Sequence, residues 1–174
     1  MSDGTTYPNP KAYRRAKRKL AKLQKELCRR QKGGKNRDKT KLRLAKAHKR
    51  IADIRADNLH KLTTHLAKNH GEVRIENLNV SGMLKNHKLA GAIADGGFYE
   101  FRRQLEYKCQ WYGSKLTLID QWYPSSQICS NCGHQQKMPL NTRTYDCPNC
   151  GTSIDRDLNA SINLERADSS AVQA

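Results

Sequence analysis

Two Cys-x-x-Cys pairs, Cys129-Ser-Asn-Cys132 and Cys147-Pro-Asn-Cys150, stand fourteen residues apart in the sequence. Two residues between thiols let both sulfurs of a tight turn face one tetrahedral ion at about 2.3 Å. A second pair, returned by a short hairpin, completes a four-cysteine set with a spacing close to that of paired zinc knuckles. Gly133 and Gly151 each follow a second cysteine, where the turn calls for a residue tolerant of positive φ. Four thiolates leave no coordination position for water, so the Zn2+ they imply is structural and not catalytic. The alternative is a pair of disulfides. The sequence opens with no apolar signal segment, which favours a reducing, intracellular, cytoplasmic setting over an oxidising one. Cys28 and Cys109 are then expected as free thiols in packed positions.

Carboxylates are the second source of chemistry. Glu76 falls in Glu72–Val80, where Val73 and Ile75 alternate with polar neighbours, and Asp155 and Asp157 open a helix-like run. Brought together, such oxygens are hard ligands for Mg2+ or Mn2+ and suit phosphodiester hydrolysis. Taken singly, a strand Glu is an ordinary solvent-facing residue, and an Asp ahead of a helix is an N-cap. Spacing alone does not decide between those roles.

Charge narrows the partners. The chain has 33 Lys+Arg against 16 Asp+Glu, a formal net charge of +17. Residues 1–70 hold 22 basic and 5 acidic side chains, whereas residues 71–174 hold 11 of each, so the first segment carries the whole excess. That asymmetry points to a polyanion, with nucleic acid favoured over a membrane surface. The basic segment has few large apolar residues to insert into lipid, and no apolar run is long enough to span a bilayer.

The elements that must position these groups follow from periodicity. Tyr13, Ala16, Leu20, Leu23 and Leu27 recur at helical spacing, Gly33-Gly34 breaks the pattern, and a second helix is expected from about Lys39 to Asn69. The pair predicts an antiparallel hairpin with outward-facing Lys and Arg, among them Arg14, Arg15, Arg18, Arg29 and Arg30. A merely solvated hairpin is the alternative, but so one-sided a charge would repel itself without a partner. A strand is expected over Glu72–Val80, loop or broken helix over 81–96, and a helix over Phe98–Tyr112 facing inward through Phe98, Phe101, Leu105 and Cys109 or Tyr112. A second strand over Lys115–Asp120 with a continuation to Tyr123, the cysteine excursion, and a final helix packing Leu158, Ile162 and Leu164 complete the pattern, with a fraying tail from Glu165. The class is α/β, with too few strands for a complete sheet.

Val73-Arg-Ile-Glu-Asn-Leu-Asn-Val80, then Pro124-Ser-Ser, the two cysteine pairs and Asp155-Arg-Asp-Leu-Asn-Ala-Ser-Ile-Asn163, in that order, resemble the C-terminal half of the TnpB (OrfB) family. The resemblance extends over the Tyr7-Pro-Asn-Pro-Lys opening and the basic hairpin. It implies a transposon-encoded, RNA-guided DNA endonuclease related to type V CRISPR nucleases. It also implies a partial RNase H-like (RuvC) lobe with a helical hairpin over 1–70, core over 71–126, a four-cysteine zinc-ribbon insertion that contacts target nucleic acid over 127–152, a final motif over 153–166 and a tail over 167–174. Glu76 matches the family's second catalytic acid and Asp157 the third, whereas Asp155 matches none and reads as a cap. The first acid, in a Gly-x-Asp-x-Gly strand motif, has no counterpart, since Asp3-Gly4 has no strand ahead of it. The family's guide-holding N-terminal half and the central hairpin of its sheet are likewise missing.

Three functions are therefore expected in competition. The favoured one is a module that binds guide-type RNA and DNA without cutting, alone or assembled with a full-length TnpB-like protein. The second is a nuclease lobe completed in trans, binding Mg2+ or Mn2+ once the missing Asp is supplied. The third is a remnant with no independent role.

Overall fold

The computed structural model describes residues 1–139, 141–168 and 171. The chain divides into two compact units. One comprises residues 8–66 and 80–108; the other comprises 1–7, 67–79 and 109–174.

The first unit is helical. α1 (Ala12–Arg29) and the early part of α2 (Lys35–Asn69) bury Ala12, Leu20 and Ile51 together, flanked by Ala16, Leu44 and Ala47. This is the antiparallel hairpin that the sequence predicts. Gly33 turns the chain at φ +80°, and α2 starts at Lys35, four residues earlier than expected, because the Gly34 carbonyl accepts from Arg37 N at 2.8 Å. Arg37 also caps the end of α1, donating to the carbonyls of Leu27 (2.6 Å) and Arg30 (3.1 Å).

The other end of α1 is capped from a distance. Lys11, at the N-cap position, makes no side-chain cap, and Asp95 of α4 (Ala90–Gly96) accepts instead from Tyr13 N (3.0 Å) and Arg14 N (3.3 Å). Asp95 also lies 3.2 Å from Arg55, so its buried carboxylate meets both a guanidinium and the positive end of a helix. Residues 81–96 thus hold two short helices, α3 (Val80–Leu84) and α4, which is the broken helix anticipated.

α5 (Phe98–Tyr112) buries Leu105 and Cys109 as expected, but Phe98 and Tyr112 stay exposed. Polar residues take the remaining inward places. Lys108 Nζ donates to the His60 carbonyl and the hydroxyls of Thr63 and Thr64, at 2.7–2.9 Å, and Gln104 pairs with Thr63 at 2.9 Å. Burial pushes the Lys108 ammonium below its ordinary pKa.

The second unit holds a two-stranded parallel sheet. β1 (Glu72–Glu76) pairs with β2 (Lys115–Ile119) in the register Glu72↔Lys115 through Glu76↔Ile119. β1 ends at Glu76, not Val80, since β2 offers no partner beyond Ile119 and Val80 begins α3. Residues 121–123 do not extend β2; they form a turn in which Asp120 accepts from Trp122 N (2.7 Å) and Tyr123 N (3.1 Å). The hairpin of β3 (Thr144–Asp146) and β4 (Ser153–Asp155) follows, then α6 (Arg156–Arg166). α6 packs beside β1 and buries Asn159 and Asn163; Leu164 packs on the Ile119 cluster as expected, whereas Leu158 and Ile162 are only half-buried. The tail is also more ordered than expected, because Ala167 and Ala171 pack on Ile119. Of the fraying expected from Glu165, residues 169, 170 and 172–174 lie outside the described residues.

Replacing Asp95 by Ala strands Arg55 and uncaps α1, and should cost about 3 kcal/mol. Urea unfolding followed by helical circular dichroism measures the loss, with Asp95→Asn intermediate.

Candidate metal centre and carboxylate pair

The four cysteines of the double-knuckle motif converge. Their sulfurs all lie within 4.8 Å of one another, with Cys129–Cys150 at 3.7 Å and Cys132–Cys147 at 3.6 Å. A tetrahedron with arms of about 2.3 Å has edges of about 3.8 Å, so the set fits a four-thiolate metal site. No disulfide joins these sulfurs: all six cysteines are free. Cys28 is exposed and only Cys109 is packed, which corrects half of the expectation for that pair.

The turns explain the convergence. Gly133 N donates to Cys129 O (2.9 Å) and Gly151 N to Cys147 O (3.0 Å), with the two glycines at φ +75° and +72°. Each knuckle also supports the other: Asn131 Nδ2 reaches Cys150 Sγ at 3.6 Å, and Asn149 Nδ2 reaches Cys132 Sγ at 3.5 Å. Hydrogen bonding by Thr152 lowers the Cys150 thiol to about 5, and burial pushes Cys147 up to about 11. Beneath the sulfurs, Tyr145 is fully buried among Cys129, Cys147, Met138 and Ile154, and its hydroxyl reaches the carbonyls of His134 (2.9 Å) and Gln127 (3.2 Å).

Glu76 is the last residue of β1, and its carboxylate accepts from Ser125 Oγ at 2.8 Å. Asp157 lies in the first turn of α6 with its side chain 75% exposed, 3.9 Å from both Arg143 and Arg156. Asp155 is the N-cap of α6, accepting from Asp157 N (2.9 Å) and Leu158 N (3.0 Å). Among the described residues, neither Glu76 nor Asp157 joins a cluster of three or more potential metal ligands.

In the helical unit, Arg14, Arg15, Arg18 and Arg29 are exposed on α1. Arg18, Lys22, Lys25, Arg29 and Arg30 line one groove together with Glu26. Arg30 is partly committed: it is ion-paired with Glu26, whose carboxyl is held below its ordinary pKa first by that hydrogen bond. No described helix is long and apolar enough to cross a membrane.

Residues 1–87, half of the chain, match the family model OrfB_IS605, described as "Probable transposase". The chain belongs to the OrfB family. Residues 98–164, which include the OrfB chain's four cysteines, match the "Cas12f1-like, TNB domain" model. A Streptomyces pristinaespiralis protein named "Putative RNA-guided DNA endonuclease" is 47% identical over 94% of this chain and 41% of its own length. The Escherichia coli protein InsQ, named in the same terms, is 36% identical over 94% of this chain and 44% of its own. The chain thus spans less than half the length of these relatives. Its fold resembles a Cas12f chain solved in a ternary complex (TM-score 0.60, 19% identity, covering 86% of this chain and 32% of that one). It also resembles a Cas12f1 chain solved with sgRNA and target DNA (TM-score 0.54, 18% identity, covering 86% and 40%).

Sequence reasoning missed Ser125 as the partner of Glu76, and Asn159 and Asn163 as the buried face of α6. The four-residue spacing of the two asparagines was the available signal.

Tyr145→Ala should cost the cysteine unit about 4 kcal/mol, since it empties that small core. Tyr145→Phe removes only the hydroxyl and should cost about 1 kcal/mol. Thermal melts of the two variants check the ranking.

Proposed function

We propose that this chain is a nucleic-acid-binding portion of a TnpB-type RNA-guided DNA endonuclease, competent to bind RNA and DNA but not to cut DNA alone. The single observation that carries this reading is the 47% identity across 94% of the chain to a protein named for that activity. Cas12f1, whose fold this chain resembles, was solved with sgRNA and target DNA, which supports the same class of partners here.

Under this reading α1 supplies the phosphate contacts. Its row of exposed guanidinium and ammonium groups, opposed by Glu26 alone in the same helix, suits a polyanionic backbone and reads no sequence by itself. The four cysteines hold a structural Zn2+, and residues 127–152 form an insertion that contacts target nucleic acid. Glu76 and Asp157 are two acids of a RuvC-like lobe, and Mg2+ or Mn2+ would supply charge neutralisation for phosphodiester cleavage once a third carboxylate completes that site. A second reading, in which a full-length TnpB-like partner supplies that carboxylate, is favoured by the Ser125 bond that already holds Glu76 in one place.

Metal analysis of the purified chain should find about one zinc, and chelation should unfold the cysteine unit, because ligation supplies its folding energy.

Binding to structured guide-type RNA should weaken about a thousandfold between 50 and 200 mM salt if six or more phosphates are contacted. Changing Arg14, Arg15, Arg18, Arg29 and Arg30 to Glu should weaken it at least tenfold. Salt-independent binding would exclude the basic hairpin as the main contact. With guide RNA, matched DNA and Mg2+, the chain alone should leave DNA intact. Guide-dependent cutting that Glu76→Ala abolishes would overturn the reading.

A further inference from the structure

The Asp-Leu-Asn-Ala-Ser-Ile-Asn run contributes more than its carboxylate. α6 presents Asn159, fully buried, and Asn163, 5% exposed, one turn apart on the face opposed to the segment 125–130. Asn163 Nδ2 donates to the carbonyls of Ser125 and Ile128, both at 2.7 Å. Asn159 Nδ2 donates to the same Ile128 carbonyl at 2.7 Å, and its Oδ1 accepts from Ser130 N at 2.9 Å. One turn further on, Arg166 donates to Ser130 O.

The clamped segment bears on both candidate sites. Ser125 Oγ holds Glu76, and Cys129 is one of the four converging thiols. The helix that clamps it carries Asp157 in its first turn. The cysteine set and both carboxylates therefore bear on six residues of backbone, in which the carbonyls of Ser125, Ile128 and Ser130 and the Ser130 N–H find their partners on α6.

We propose that Asn159 and Asn163 are positioning residues that make metal loading of the four cysteines and placement of Glu76 and Asp157 one coupled equilibrium. The proposal rests on the zinc reading above. Zinc fixes Cys129 and so holds Ile128 and Ser130 where the two carboxamides need them. Docked carboxamides in turn pre-form the first knuckle. Thermodynamic linkage makes the effect reciprocal: whatever factor zinc adds to docking of α6, docking adds to zinc affinity.

The test measures zinc affinity by competition with a chromophoric chelator, and amide hydrogen exchange with and without zinc. It uses the full chain and the variants Asn159→Ala, Asn163→Ala, Asn159→Asp and Ser161→Ala. Ser161 bonds only within α6, to Leu158 O, and is the control. The three asparagine variants should each lose tenfold or more in zinc affinity, as supporting partners of metal ligands do, while Ser161→Ala stays within about twofold. Zinc removal from the unaltered chain should accelerate exchange in 125–130 and at the start of α6, while amides around Leu20 and Ile51 keep their protection. Those amides also report whether a variant is folded, and the zinc-removal arm needs no variant. Native zinc affinity in the asparagine variants, or unchanged α6 exchange on zinc removal, overturns the coupling alone. Failure of the unaltered chain to take up zinc overturns the zinc reading and the coupling with it.

Discussion

Between the end of β2 at Ile119 and the first cysteine pair the chain runs irregularly, and such a segment leaves carbonyls that its own backbone does not satisfy. In this protein Ser125, buried, and Ile128, half-buried, carry those acceptors, and leaving either without a donor is costly. The chain answers with carboxamides where a helix in an α/β unit would ordinarily bury Leu or Ile. That exchange sets the geometry of the whole unit. α6 must lie against the segment in one register, Ile119 then receives Ala167 and Ala171, and Arg74 reaches the carbonyls of Glu165 and Ala167. A two-stranded sheet, too small to bury a core unaided, gains a helix fixed by directional bonds.

The helical unit solves a different problem, that of holding like charges close together. Glu26 is the one acidic residue of α1; it gathers Arg30, the Thr40 hydroxyl and Arg43, while Arg37 is spent on the carbonyls that end the helix. Asp95 performs the matching service at the opposite end. The cations that remain are left facing solvent, and the alanine-rich seam of Ala12, Ala16 and Ala47 allows the hairpin to close beneath them.

Features that depend on local geometry were legible in the sequence. The cysteine spacing, the glycines at positive φ, the hairpin break at Gly33 and the Asp155 cap each follow from a few adjacent residues, and the structure reproduces all of them. Features decided by a distant partner were not. Nothing near Asp95 announces that it caps a helix 82 residues upstream, and Lys108 reads as a surface lysine until the hydroxyls of Thr63 and Thr64 are placed around it. The apolar pattern over Leu158–Leu164 is only half informative for the same reason: Leu164 does pack on the Ile119 cluster, but backbone faces the middle of the helix, so amides are buried there. β1 stops short of Val80 because the apolar phase set by Val73 and Ile75 breaks at Asn77 and its neighbour β2 ends at Ile119.

The position of α6 late in the chain has a consequence for synthesis. Cys150 leaves the ribosome thirteen residues ahead of Asn163. At about 5–20 residues per second, that interval lasts roughly 0.7 to 2.6 seconds. During it all four thiols are available for ligation, while the carbonyls of Ser125 and Ile128 still face water. The four thiols are therefore all in place while the tether that joins them to α6 is still loose. Glu76, made long before, is held by a serine whose own carbonyl waits for Asn163. The order of translation thus completes the set of four thiols before it delivers the helix that clamps their tether.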